Sequence, residues 1–239
     1  MRSRNISFVS PSNTNKVTVS NKLVTLRQGL TLYQKRIVML AVSKLDSRNQ
    51  IGFSDQIITA REYADLCGID VRTAYKEITR AAHDLARSAV RAENPRTGKP
   101  IDVPWLKRVE YSDGAILLRF NDQMSEGLLQ LKSLFTSYRL ANVVTLKSVH
   151  AWRLYELLTR YRATGRARYT VTCLAEALDL TQSQRANFAE TRRSIIEPAV
   201  HCLSRTDIKN TTMDTERAGR RIVAVIFRFT TSTHLSVNN

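Results

Sequence analysis

Residues 59–85 read "TAREYADLCGIDVRTAYKEITRAAHDL", and the way this stretch folds decides the rest. Its first part has the pattern of a short helix stopped by Gly68, a residue that enters the left-handed turn at a helix end without a Cβ penalty. Helical spacing resumes at once, with Asp70 placed to cap a second, longer helix. Two helices joined by a tight glycine turn make a helix-turn-helix. On a wheel of about 100° per residue, Ala74, Ile78, Ala81 and Leu85 share one side of the second helix. Arg72, Thr73, Lys76, Arg80 and His83 gather opposite, with Arg87 after them, while Glu77 and Asp84 fall at the flank. A merely solvated face mixes its signs; a row of cations suits groove or phosphate contact.

The flanking segments extend this unit. Residues 30–45, "LTLYQKRIVMLAVSKL", begin with Thr31 and Gln34 at capping-box spacing and carry Tyr33, Ile37, Leu40, Ala41 and Leu45 as an apolar face. A short extended run with Phe53, Ile57 and Ile58 follows. Beyond a loop from Pro95 to Pro104, residues 106–120 alternate in two runs about Asp113-Gly114, a strong hairpin signal. The order then returns: a helix in "SVHAWRLYELLTRYRA", a strand in "RYTVT", a short helix in "CLAEALDL", a long helix from residue 187, and a hairpin over residues 208–229. Helix, strand, helix-turn-helix and hairpin, twice, predict an α+β, mainly α chain of two tandem winged helices. The expected layout is a flexible arm over 1–20, winged-helix domains over 21–135 and 136–232, and a tail over 233–239.

The second long helix, "NFAETRRSIIEPAVHCL", is less regular. Phe188, Ile195, Ala199 and Leu203 make its core stripe; Ser183, Asn187, Glu190 and Ser194 face away with Arg193 beside them. Arg192 falls near the apolar side, so it has to snorkel outward. Pro198 lacks the donor a continuous helix needs and kinks or restarts it. Arginine, asparagine and glutamine can contact base edges in pairs of hydrogen bonds, which makes Gln184, Arg185, Asn187 and Arg193 candidate readers. Arg217, Arg220 and Arg221 crowd the following hairpin loop, where a wing would meet a backbone or minor groove.

The bulk charge agrees. The chain has 239 residues, 37 Lys+Arg against 21 Asp+Glu, a net charge of +16 and a pI near 10.3. The excess divides into +9 before residue 141 and +7 after it, so no single basic tail explains it. A polyanion, most simply duplex DNA, is the expected partner. Cys67, Cys173 and Cys202 lie far apart in apolar helical contexts, as buried reduced thiols of a cytoplasmic protein would, and offer no zinc spacing. The N-terminal 21 residues lack the apolar run of a signal peptide or membrane span; Arg2, Arg4 and Lys16 give that arm some charge. Catalytic signals fail. "RTGKP" lacks the first glycine and the Ser/Thr of a phosphate loop. His83, His150, His201 and His234 are isolated, no His-x-His pair could hold a nickase metal, and His83 with Arg87 has the wrong spacing for a recombinase.

Residues 30–45, "FTSYRL", "KSVHAWRLYELL" and "RRSIIEPAVHCLSRTDI" followed by "RRIVAVIFRF" resemble, in this order, the landmarks of the iteron-binding plasmid replication initiators. The resemblance implies two winged-helix domains, no enzymatic activity and no cofactor. It implies monomers on repeated origin sequences that recruit the host replication initiator and replicative helicase. It also implies dimers that bind an inverted operator and repress their own gene, with the first domain as interface. The family's recognition helix maps to Arg185 through Arg193, chiefly Arg192 and Arg193. Leu23, Leu26, Leu30 and Leu40 are similar to a leucine-rich segment tied to dimerisation. The competing reading is a winged-helix transcriptional regulator with no initiator role.

Overall fold

The computed structural model describes residues 15–45, 54–94, 96–128 and 134–232. The chain enters through β1 (Lys16–Ser20) and α1 (Asn21–Thr25), then α2 (Leu32–Ser43), β2 (Gln56–Thr59), α3 (Ala60–Cys67) and α4 (Val71–Leu85). β3 (Ala89–Glu93), β4 (Pro100–Pro104), β5 (Leu106–Ser112) and β6 (Ala115–Phe120) follow, then α5 (Ser125–Leu128) and β7 (Phe135–Arg139). The second half holds α6 (Val149–Thr159), β8 (Arg166–Thr170), α7 (Val171–Ala177), α8 (Gln182–Ala186) and α9 (Phe188–Thr191). It ends with α10 (Glu197–Leu203), β9 (Ile208–Ala218) and β10 (Arg221–Thr231).

The internal repeat holds at the level of sheet order. The two antiparallel sheets β2-β6-β5 and β8-β10-β9 each place the short strand that precedes the helix-turn-helix beside the second strand of the hairpin. Local chemistry sets the boundaries. Thr31 and Gln34 close the capping box that starts α2, Gly68 ends α3 at φ 67°, and Asp70 accepts from the Thr73 N–H at 2.9 Å to start α4. Gly114 turns the first hairpin at φ 74°. Gly165 holds φ 62°, and a Cβ there would meet the Phe229 carbonyl oxygen at 2.6 Å, so glycine is required where β8 leaves α6.

Two expectations change. Residues 16–20 are a strand, not arm: Val17 and Val19 are buried, and β1 runs antiparallel to β7 with Lys16 opposite Arg139. The Thr18 and Ser137 hydroxyls meet at 2.8 Å across that pair. Arg2, Arg4 and the tail over 233–239 lie outside the described residues. The segment from Pro95 to Pro104 is no plain loop either, because Pro100–Pro104 pairs antiparallel with Ala89–Glu93. Proline at both ends of β4 suits an edge strand, where a missing N–H breaks no ladder.

One apolar cluster runs through both modules, with Trp105 and Trp152 fully buried. Leu23, Leu30 and Leu40 are part of it and Leu26 packs against it, so these leucines serve this chain's own core. The thiols are less enclosed than expected: Cys67 and Cys202 are half-buried and Cys173 is exposed. Charges sit at the centre of the cluster. Lys35 on α2 and Glu156 on α6 are wholly buried, with Nζ 2.8 Å from Oε2. Lys35 also donates to Gln28 Oε1 at 2.7 Å, and the Tyr138 hydroxyl donates to Glu156 Oε1 at 2.6 Å. Buried Arg153 reaches the same carboxylate at 3.4 Å. Burial holds the Lys35 ammonium down at about 8 although Glu156 opposes the shift. Burial, reinforced by the Glu156 charge, lifts the Tyr138 phenol well above its ordinary value. Helices α2 and α6 are thus joined by an ion pair as well as by apolar packing.

Candidate nucleic-acid interface

α4 is the long helix of the first helix-turn-helix, and its two faces separate as the wheel requires. Ala74, Ile78, Ala81 and Leu85 are buried; Arg72, Thr73, Lys76, Arg80, His83 and Arg87 are exposed. Glu77 leaves the outer face, accepting from the Tyr63 hydroxyl at 3.0 Å and lying 4.0 Å from Arg36. Asp84 pairs with its neighbour His83 at 3.3 Å. Arg72, Lys76 and Arg80 have no ion pair among the described residues. Cations left without internal partners keep their full attraction for phosphate.

The second recognition segment is broken where one long helix was expected. Asn187 sits at φ −118°, ψ 76°, ends α8 and caps α9 by accepting the Glu190 N–H at 3.1 Å. Arg192–Ile196 then form a π turn that leads into α10. Such a turn inserts one extra residue, which moves the core position from Ile195 to Ile196. Ile196, Ala199 and Leu203 are accordingly buried, while Ile195 and Phe188 are half-buried. The wider turn also spares Pro198 a clash in the turn before it, which is where the expected irregularity falls. Glu197, five residues after Arg192, lies 3.2 Å from its Nε, and that arginine side chain stays half-buried.

Two candidates are used inside the protein. Gln184 gives its carbonyl oxygen to the Thr181 N–H at 2.8 Å in a capping box. Arg185 turns back to an ion pair with Glu176 and donates from Nε to the Leu180 carbonyl at 2.9 Å. Both side chains are half-buried and engaged in these internal contacts. A carboxylate nine positions earlier could not be matched to Arg185 on a helical wheel. Arg193 and Asn187 stay exposed. Arg193 pairs at 2.8 Å with exposed Glu190, a contact weak enough to be exchanged for a phosphate or base.

Each hairpin projects as a wing. In the longer one, β9 and β10 are 11 residues each, joined through Gly219 at φ 58°. Arg217, Arg220 and Arg221 are exposed at its tip, without ion pairs among the described residues, whereas Arg168 lower down is held by Glu216 at 2.8 Å. Sequence reasoning passed over Val71 and Tyr75, which stand 43% and 40% exposed amid the α4 cations, and Tyr111 on β5, 49% exposed. Large apolar groups on an otherwise cationic face were the available signal. No cluster of His, Cys, Asp or Glu able to hold a metal occurs among the described residues, and no helix described is long and apolar enough to cross a membrane.

Two winged-helix modules, each with an exposed candidate recognition segment and the second with an arginine-tipped hairpin, define a tandem winged-helix protein of the nucleic-acid-binding class. Residues 16–159 match the family described as "Initiator Replication protein, WH1", and residues 170–229 match "Initiator Rep protein, WH2". The chain belongs to this initiator replication protein family. It is 27% identical over 199 residues to an "Uncharacterized 27.6 kDa protein" of Escherichia coli, covering 77% of this chain and 83% of the relative. It is 24% identical over 147 residues to a "Replication initiation protein" of Escherichia coli, covering 59% of this chain but 45% of that protein. The crystal structure of the Pi initiator protein in complex with iteron DNA shares its fold, with a TM-score of 0.79 at 20% identity over 92% of this chain and 99% of that one. Domains 2 and 3 of RctB match at a TM-score of 0.50 and 12% identity over 95% of this chain and 91% of that one.

Proposed function

We propose that this chain is a plasmid replication initiator that binds directly repeated origin sequences and has no catalytic activity of its own. α4 enters one major groove and the α9–α10 segment the next, with the wings along the backbone. The modules divide near residue 136, as the internal repeat suggests. The carrying observation is the row of exposed cations on α4, with Arg72, Lys76 and Arg80 lacking ion pairs among the described residues, repeated at the β9–β10 tip in a chain of the initiator family. That the Pi initiator, similar over nearly its whole length, was crystallised on iteron DNA supports the reading. The residues proposed at the interface are Arg72, Thr73, Lys76, Arg80, His83, Asn187, Arg192, Arg193, Arg217, Arg220 and Arg221. Dimers that repress the gene from an inverted operator, recruitment of the host initiator and helicase, and action in the cytoplasm complete the proposal.

Footprinting on the DNA flanking the gene, at two protein concentrations and fixed salt, tests it. Protection of adjacent direct repeats of about 20 base pairs, one helical turn per module, is expected. A lone palindrome would replace the initiator with a transcriptional regulator. Supercoiled origin DNA incubated with Mg²⁺ or Mn²⁺ should stay intact; a covalent protein–DNA adduct would overturn the non-catalytic assignment. Arg220→Ala should lower the slope of log affinity against log salt by about one unit, equally on cognate and random duplexes. An unchanged slope removes the wing from the interface.

A further inference from the structure

Asp179, between α7 and α8, is one of two non-glycine residues with positive φ among those described, at 56°. Its carboxylate reaches beyond its own half of the chain. It crosses to the segment between α1 and α2, accepting from the Gln28 N–H at 3.2 Å and the Gly29 N–H at 3.3 Å. Arg27 lies 3.8 Å from one of its oxygens and Arg153 3.9 Å from the other. Arg153 spans the same gap, donating to the Leu26 carbonyl at 2.6 Å and the Ala177 carbonyl at 2.8 Å. Gln28 in turn accepts from the Trp105 indole at 2.9 Å, which ties the clasped segment into the first module's core.

We infer that Asp179 and Arg153 are positioning residues that set the angle between the two winged helices, and so the half-site separation a repeat must have. An apolar interface tolerates small rotations because its contacts have no preferred direction. Here rotation would break directional hydrogen bonds, one buried and the others part-buried or exposed, whose partners exist in one orientation only. The inference rests on the proposed binding of one repeat by both modules. One added base pair turns the second half-site by about 34° and shifts it by about 3.4 Å, so a rigid clasp makes spacing part of recognition.

Asp179→Gly suits the positive φ and deletes the carboxylate half of the clasp; Asp179→Asn keeps its shape and removes its charge. Dissociation constants would be measured for the full chain on duplexes of the footprinted repeat with the spacer unchanged, shortened or lengthened by one base pair. Wild type should lose about tenfold or more for either spacer change, a loss like that of a mismatched base pair. Asp179→Gly should lose about threefold or less, with Asp179→Asn between, while mismatches inside each half-site keep their full penalty. If Asp179→Gly does not fold, Asp179→Asn carries the test alone. Spacing penalties unchanged in every folded variant, or a wild type indifferent to spacing, overturn the inference. A wild type that ignores the unaltered repeat overturns the functional reading instead.

Discussion

Glu156→Leu should lose about 3–5 kcal/mol of folding stability, measured by urea unfolding, which is a large part of what such a domain possesses. The substitution leaves Lys35 with Gln28 Oε1 as its hydrogen-bond partner among the described residues, takes the carboxylate from Arg153, and strips the Tyr138 hydroxyl of its acceptor, all in the buried core. Adding Lys35→Met should restore part of the loss, because the pair then leaves together and the stranded ammonium is gone. Strictly additive losses would show that the pair does not act as a unit. The effect also carries a pH signature. Burial first, then Arg153, pulls Lys35 down, and Glu156 holds it up to about 8 against an ordinary 10.5. Between those values the unfolded chain binds the extra proton, so this group makes stability rise with pH. Without Glu156 the folded pKa drops further and the window opens below 8. The deficit of Glu156→Leu should therefore be smaller at pH 9 than at pH 7.

Arg193→Ala should lose about 1–3 kcal/mol of binding on the cognate repeat and relax discrimination at one or two base positions. Its guanidinium is the most exposed of the cations in the second recognition segment, 67%, and its link to Glu190 is an exposed pair between neighbouring turns. Arg185→Ala is the internal comparison. Because Arg185 is spent on Glu176 and the Leu180 carbonyl, its loss should lower stability while leaving base discrimination intact. An equal loss on cognate and random DNA would make Arg193 a phosphate contact only.

Much of this molecule is decided within short stretches of chain. The face of α4, the capping box at Thr31, the glycine stop at Gly68 and the hairpin at Asp113-Gly114 depend on residues a few positions apart, and all fold as their local chemistry requires. Family landmarks extended that reading over nearly the whole chain. Longer reach defeated it. Lys16–Ser20 has the alternation of a strand, but its partner lies 119 residues away at the Thr18–Ser137 contact, and a polar composition alone suggests an arm.

By itself, then, the sequence determined the two winged-helix modules, their order and their cationic outer faces, because caps, turns and amphipathic periods are local properties. Tertiary structure alone decided which cations are spent internally, where the π turn moves the core register, and how one module is held against the other. The Lys35–Glu156 pair and the Asp179 clasp join residues 121 and 151 positions apart. Such contacts form only after loop closure has been offset by burial, and no periodicity along the chain encodes them.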